Sequence, residues 1–280
     1  MKIIKFLKFH FFKYLISLDK TTAFYALRTM YFDGMVRRTN EARDFTWDSF
    51  NLDQQPTSFE ELSGLFFCSP LSRGILRQDI DEAALLYKYV SRIRNPVGVE
   101  IGRFYGGSSV LLATAIGSMG KLYSIDIEPK DEDKLLIPVL NKLGFNDRVN
   151  LIIGDANIIN IEDELDFVLI DGDHSYEGAR LDHNRWGKKI KEGGLIIHHD
   201  MTNSRDHSVQ WNDLRILHRA ILEEQPSCLQ VVEEAGSMIV FKKISNVWVD
   251  LIPYEKLSQT NVKGSPSRSN SHLNRESDTK

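Results

Sequence analysis

Hydrophobic spacing changes character once along the chain. From Asp79 onward, apolar residues recur either at helical intervals or in short continuous runs bounded by turn residues. Residues 80–93, IDEAALLYKYVSRI, have the 3.6-residue period of an amphipathic helix, which Asn95 and Pro96 end. Seven strand-like runs follow, at residues 97–101, 121–126, 149–153, 165–171, 195–199, 229–233 and 238–243. Between the first five lie stretches long enough for crossover helices, which predicts a parallel sheet covered on both faces. Only Glu234-Ala235-Gly236-Ser237 separates the last two, a hairpin-length link. The expected fold is α/β: a doubly wound, Rossmann-like, seven-stranded sheet with one antiparallel edge strand, preceded by an N-terminal helical extension.

Residues 1–78 lack this alternation. Ile3, Ile4, Leu7, Phe11, Tyr14, Leu15 and Leu18 share one helical stripe, and Lys2, Lys5, Lys8 and Lys13 fall opposite it. Residues 1–18 thus read as a basic amphipathic helix, too often interrupted by charge to span a membrane and followed by no small-residue cleavage site. Two roles fit it: a peripheral contact with an anionic membrane surface, or packing on its own core or on a second subunit of a homo-oligomer. Phe6, Phe9, Phe12 and Ile16, off the main stripe, favour packing. Residues 21–78 mix aromatics with charges and turn signals and complete a cap over 1–78. A core at 79–245 and a C-terminal extension at 246–261 follow it. Residues 262–280, rich in serine and poor in anything to bury, read as a disordered tail.

Composition sharpens this division. With 280 residues and 42% hydrophobic content the chain can build a core, which excludes a mainly disordered or fibrous protein. The net charge of -4 conceals unlike parts: five lysines against Asp19 in residues 1–20, a small positive excess in the tail, and an acidic body between them. An acidic body lacks the broad phosphate-neutralising surface that nucleic-acid binding needs, so no nucleic-acid partner is expected. The two cysteines, Cys68 and Cys228, have neither disulfide-scaffold nor zinc spacing, and a cytoplasmic location fits them.

The first strand runs into VGVEIGRFYGGSS (97–109), in which Glu100 precedes a tight loop with Gly102, Gly106 and Gly107, and Ser108 begins a helix. Glycines let a backbone approach a ligand closely, and a helix amino end offers unpaired N–H groups to an anion. The loop reads E-x-G-x-x-x-G-G-S, not the G-x-G-x-x-G of dinucleotide folds, and an acid before it suits a ligand with an ammonium group better than a pyrophosphate. A plain strand-to-helix turn remains the alternative for this loop taken alone. Asp126 ends the second strand 24 residues after Gly102, where a carboxylate can accept hydrogen bonds from ribose hydroxyls. Asp155 and Ala156 follow the third strand, placed for an adenine edge.

This ordered series resembles the class I S-adenosylmethionine-dependent methyltransferases over residues 79–244. The resemblance implies that Glu100 and Gly102 approach the methionine part of the cofactor, Ser108 its carboxylate, Asp126 its ribose, and Asp155 with Ala156 its adenine; Gly106 and Asp171 would border the cofactor as well. The stretch LDFVLIDGDHSYEGARLDHNRWGKKIKEGGLIIHHDM (165–201) places Asp171 at a strand end, His174 three residues on, and Asp200 at the next strand end. In this it is similar to the catechol O-methyltransferase-like enzymes and the macrocin-type sugar O-methyltransferases. There the equivalents of Asp171 and Asp200 bind a divalent metal such as Mg2+ beside the acceptor hydroxyl, and the equivalent of His174 is the general base. The residue chemistry agrees, since carboxylates are hard ligands and a histidine near its ordinary pKa can take a hydroxyl proton.

One departure stands out: Met201 follows Asp200 where those relatives carry a second Asp or an Asn. His199, Asn203 or water could replace the missing ligand, or the reaction could proceed without metal. Structural alternatives also stand beside the catalytic readings. Asp171 could cap the helix that begins near Ser175, and His174 could be a helix-start residue. His183 shares the stripe of Tyr176, Ala179, Trp186 and Ile190 and is expected in the core. His198 should point away from Asp200, His207 is a weak candidate over the site, and Asp173 reads as a loop acid. The implied function is O-methyl transfer to a hydroxyl of a small-molecule or glycan acceptor. Two other classes are a nicotinamide-dependent oxidoreductase, disfavoured by the absent G-x-G-x-x-G, and a non-catalytic binding protein on the same fold, disfavoured by the intact series of acids and His174.

Overall fold

The computed structural model describes residues 43–44, 55–66, 72–73, 75–128, 133–201 and 209–256. The basic helix expected over 1–18, Cys68, Asn203, His207 and the serine-rich tail lie outside the described residues. Seven strands form one sheet: β1 (Val97–Ile101), β2 (Lys121–Asp126), β3 (Val149–Ile153), β4 (Leu165–Ile170), β5 (Ile190–His198), β6 (Leu229–Ala235) and β7 (Met238–Lys243). Their order is β3-β2-β1-β4-β5-β7-β6. Strands β1 to β5 run parallel, and β7 pairs antiparallel with both β5 and β6. The antiparallel strand therefore stands at the end of the sheet that the sequence pattern predicts, between β5 and the outermost strand β6.

Side-chain parity builds the layers. Phe167, Leu169, Leu195, Ile197, Met238 and Val240 point to one face, where they meet α1 (Ile80–Val90) and α2 (Gly107–Ala115). Their strand neighbours Val168, Ile170, Ile196, Ile239 and Phe241 point to the other, toward α4 (Tyr176–Lys189) and α5 (Val209–Glu224). The remaining helix, α3 (Asp133–Lys142), joins β2 to β3. Strands buried on both faces need no polar alternation, which is why these runs read as continuous apolar segments. Strand β5 begins at Ile190, five residues before the expected start, because Ile190 pairs with Leu165 across a register shift. The intervening Lys191-Glu192-Gly193-Gly194 carries no strand signal of its own.

Two flanking segments join this body. In the cap, Leu62 and Leu65 of a 3-10 helix at Glu60–Phe66 are buried in the same cluster as α1 and α2, together with Ile75 and Leu76. In the C-terminal extension, Leu251 exchanges backbone hydrogen bonds of 2.9 and 3.0 Å with the Asn184 side chain, and Tyr176 donates its hydroxyl to the Ile252 carbonyl at 2.9 Å. Among the described residues no helix is long and apolar enough to cross a membrane.

The strand order reverses between β1 and β4, and the crevice outside their carboxyl ends is where open α/β sheets bind ligands. There the Gly102 N–H bonds the Ile125 carbonyl (3.0 Å) and the Asp171 N–H bonds the Ile101 carbonyl (2.9 Å). A Cβ on Gly102, whose φ is 87°, would lie 2.0 Å from the Asp171 carbonyl oxygen, so only glycine lets the two loops meet.

Candidate active site

At this switch point a cavity of about 390 Å³ opens, lined among others by Gln78, Gly102, Ser108, Asp171, His174, His199 and Asp200. Such a volume falls in the range of small-ligand sites. Its floor is the start of α2. The N-cap, Gly106, is left-handed and makes no side-chain capping bond, and Gly107 and Ser108 of the first turn line the cavity, an arrangement of the kind that suits an anion. Asp126 holds this loop in place: its Oδ2 accepts the Arg103 and Phe104 N–H groups at 3.1 and 2.9 Å.

Glu100 is not where a ligand-facing acid would be. It is fully buried, and its carboxylate accepts the hydroxyls of Ser108, Ser109 and Ser124. Burial pushes its pKa up, and the three hydroxyls only partly oppose this. The expectation of direct contact with an ammonium group is therefore revised: Glu100 pins α2 to β1 from inside the sheet–helix layer. Asp155 accepts the Asn157 N–H at 2.8 Å in a turn after β3, and Ala156 is buried in the apolar cluster below it. Neither Asp155, Ala156, Asp126 nor Glu100 lines the cavity, whereas Gly102, Ser108, Asp171, His174 and Asp200 do.

The cavity wall is a charged network at the ends of β4 and β5. His199 Nδ1 lies 3.1 Å from Asp171 Oδ1 and 3.3 Å from Asp200 Oδ2, and its Nε2 lies 3.1 Å from Glu82 Oε2. Burial alone would push the His199 pKa down. Asp171, Asp200 and Glu82 outweigh it and hold the value well above the ordinary histidine range. Burial would raise the Asp171 pKa, but His199 and His174 outweigh it and hold Asp171 below the usual carboxylate range. His174 Nε2 sits 3.8 Å from Asp171 Oδ1 and 3.6 Å from Asp200 Oδ2, with 30% of its side chain exposed. The neighbouring Asp171 carboxylate raises its pKa; burial opposes that and Asp200 reinforces it. Asp200 adopts a φ of 62°, a conformation aspartate tolerates better than most residues, and so turns its carboxylate back toward the cavity.

Other expectations resolve plainly. Ser175, not Asp171, is the N-cap of α4, and Asp173 accepts the Ser175 N–H within the loop. His183 and His198 are core residues bonded to one another at 2.8 Å on the α4 face. Glu82 and Gln78 were not singled out from sequence. The Asp79-x-x-Glu82 spacing is a capping-box signal, and Glu82 does accept the Asp79 N–H at 2.7 Å, but its link to His199 spans 117 positions. Gln78 donates to Asp171 Oδ2 at 3.3 Å.

Residues 99–201, from β1 to the residue after Asp200, match the family described as a methyltransferase domain (Methyltransf_24). Caffeoyl-CoA O-methyltransferase 1 of Eucalyptus globulus is 29% identical over 150 residues, covering 51% of this chain and 59% of that protein. An Arabidopsis thaliana protein, At1g67980, whose name assigns it provisionally to the caffeoyl-CoA O-methyltransferases, is 30% identical over 123 residues, 42% of this chain and 51% of its own length. The chain thus spans little more than half the length of these relatives. Cofactor-bound Rv0187 from MTB has the same fold, with a TM-score of 0.50 at 18% identity over 60% of this chain and 82% of that one.

The sequence resemblance implies Mg2+ at this cysteine-poor, acid-rich site. One ligand atom each from Asp171, His174 and Asp200 lie within 4.8 Å of one another. Mg2+ takes near-octahedral oxygen ligands and is held by one or two carboxylates with waters completing its shell. The expected third ligand position is Met201, fully buried in the apolar cluster with Ile170 and Tyr176. The facing oxygens, Asp171 Oδ1 and Asp200 Oδ2, already meet His199 Nδ1. Asp171 and Asp200 are the carboxylates that would hold a divalent ion, with His174 beside them, and such an ion would polarise an acceptor hydroxyl; no step below is routed through a metal.

Behind Gly172 lies a second unexpected acid. Asp182 of α4 is 4% exposed and accepts the Asn157 side-chain N–H at 3.1 Å. Burial pushes its pKa up to about 7, Asn157 opposes this, and Asp155 and Asp173 add to it. A raised acid pKa means that the folded state keeps a proton which the unfolded chain releases, so stability falls as pH rises from about 4 to about 7. Asp182→Asn keeps the acceptor for Asn157 without the charge. It is expected to stabilise the fold by on the order of 2–4 kcal/mol near pH 8, and by less near pH 5. Urea unfolding at the two pH values checks this; a loss of stability near pH 8 would contradict it.

Proposed function

We propose that the chain transfers the methyl group of S-adenosylmethionine to a hydroxyl oxygen of a small-molecule or carbohydrate acceptor. The observation that carries the reading is the placement of His174 in the wall of the same cavity that the uncapped start of α2 floors. The O-methyltransferase names of the curated relatives support the reaction type. The α2 N–H groups would hold the carboxylate of the methionine part, with the Gly102 backbone beside it. Asp126 Oδ1 and Asp155 lie at neighbouring strand ends, where Ile127, Ile153 and Ile158 leave 69%, 46% and 78% of their surfaces exposed. An exposed apolar ledge beside two acids suits a nucleoside. Ile75, Arg77 and Gln78, just before α1, line the cavity from the cap and would meet the acceptor side.

Bound S-adenosylmethionine supplies an electrophilic methyl on a sulfonium. His174 Nε2 receives the acceptor hydroxyl proton while the oxygen's electron pair forms the new C–O bond and the C–S pair returns to sulfur. Asp171 and Asp200 hold the imidazole and favour the imidazolium it becomes. A base must be neutral to act, so turnover is expected to fall as pH drops through a His174 pKa raised above its ordinary 6.5. A pH–rate profile whose acid limb lies at or below the ordinary histidine value would contradict this placement.

The reading is tested by calorimetry with S-adenosylhomocysteine and with NADH, followed by a search for S-adenosylhomocysteine release with catechols, a caffeoyl thioester and nucleotide sugars. Saturable binding of the sulfur compound alone, with release dependent on one acceptor class, is the expected result. Binding of NADH alone would replace this reading with the oxidoreductase.

A further inference from the structure

We propose that Asp182 is a positioning residue for the nucleoside half of the cofactor: its carboxyl, buried between the loops that follow β3 and β4, fixes the turn at 155–158 through Asn157. The nucleoside is that of the methyl-transfer reading, on which this role rests. Asn157 is gripped from two sides. Its N–H bonds Asp155 Oδ1 at 2.8 Å, and its side-chain amide donates to Asp182 Oδ1 at 3.1 Å. The Asp155 carbonyl accepts the N–H groups of Ile158 and Ile159 at 2.9 and 3.1 Å, so the same turn sets the height of the exposed Ile158 side chain on the apolar ledge. The strand-end turn on the nucleoside side is thus tied to α4, 25 positions away along the chain.

The loop after β4 closes over the same carboxyl. A Cβ on Gly172 would lie 3.6 Å from Asp182 Oδ2 and 3.2 Å from Ile101 Cγ2, so this loop rests on Asp182 with the end of β1 beside it. Asp173 lies over the first turn of α4, where a Cβ on Gly178 would come within 2.2 Å of its Oδ2. The charged groups that face Asp182 are therefore Asp155 from the β3 side and Asp173 from the β4 side, while Asn157 is its neutral partner. An ionised Asp182 would stand buried among like charges with the Asn157 amide to compensate it, and the neutral acid avoids that cost. Burial first, then Asp155 and Asp173, accordingly put its pKa at about 7 against the opposing Asn157 bond. A nucleoside laid on the ledge would exclude water from the Asp155 side and favour the neutral acid further. Ligand and proton should then strengthen each other's binding, as linkage requires.

The test uses the full-length protein. S-adenosylhomocysteine is titrated by calorimetry into the wild type and Asp182→Asn at about pH 6 and about pH 8.5. No binding at either pH would remove the methyl-transfer reading and this role together. With binding, the wild type is expected to lose about five- to tenfold in affinity at the higher pH beyond any loss in Asp182→Asn, because asparagine cannot ionise. The Asp182 carboxyl is followed in parallel by its 13C shift over the same range, where the ligand should move the midpoint upward by about one pH unit, the same tenfold seen from the proton's side. Equal pH losses in wild type and variant, or a midpoint that the ligand leaves in place, would overturn the role and leave the methyl-transfer reading intact. Asn157→Ala should weaken binding at about pH 6, and wild-type affinity in the folded variant would overturn the role as well. The wild-type carboxyl titration decides the matter even where a variant does not fold.

Discussion

Replacing His174 by alanine is expected to lower the turnover of methyl transfer by about 10²–10⁴-fold, the range that a positioned proton acceptor contributes. Affinity for S-adenosylhomocysteine should stay within error of the wild type. The separation follows from position. His174 meets Asp171 and Asp200 at 3.8 and 3.6 Å at the ends of β4 and β5, whereas the anion-binding start of α2 lies after β1. Its side chain is 30% exposed, enough to meet an acceptor hydroxyl while keeping its carboxylate partners. The acid limb of the pH–rate profile should disappear with it, and His174→Gln, which keeps a polar group of similar reach but no basic nitrogen, should restore none of the turnover. Calorimetry and steady-state rates with the acceptor found in the product search check both halves. An equal loss of cofactor affinity and turnover would move His174 out of the acceptor site, and a loss of under tenfold would leave it a helix-start residue.

Much of the fold is legible in the sequence because the strands report their own burial. β1, β2, β3 and β7 stand at the bounds that the strand-like runs predict. The start of β5 is not legible, because Lys191 to Gly194 join the sheet through pairing with β4 and through the Lys191–Asp166 contact at 3.3 Å, neither of which leaves a local pattern. The strand-end acids are legible by their spacing from the glycine loop, but the direction of each carboxylate is a matter of parity. Val99 and Ile101 belong to the α4 and α5 face, so Glu100 between them must turn to the α2 face, where Ser108 and Ser109 wait. Ser124 shares that face with Leu122, which is why its hydroxyl reaches Glu100. Glu82 and Gln78 lie beyond local reading altogether. They act through residues 93 or more positions away, and only the tertiary fold brings them to the site.

Glu82→Ala is expected to destabilise the protein by about 3–5 kcal/mol at neutral pH, the cost of removing one partner from a buried charged pair. Glu82 is 3% exposed and joins three elements at once. Its Oε1 accepts the Ser237 N–H and hydroxyl at 2.7 and 2.8 Å, and its Oε2 accepts the Asp79 N–H at 2.7 Å and faces His199 at 3.1 Å. The β6–β7 turn is shaped around it: a Cβ on Gly236, where φ is 58°, would come within 2.4 Å of Oε1. Burial alone would raise the Glu82 pKa, but His199 and the N–H groups of Ser237 and Asp79 bring it down to about 2. A depressed folded-state value gives stability that is present above the unfolded value near 4.5 and is lost as pH falls through about 2. That difference amounts to roughly 3 kcal/mol, so most of the alanine deficit should be electrostatic and should shrink as pH is lowered toward 2. Glu82→Gln retains one carbonyl acceptor and should lose less than alanine, while still leaving His199 Nε2–H without its anion. Urea unfolding of the two variants at neutral and acidic pH separates the contributions. A deficit that is the same at both pH values would mean that Glu82 serves the fold by packing alone, and that His199 keeps its charge without it.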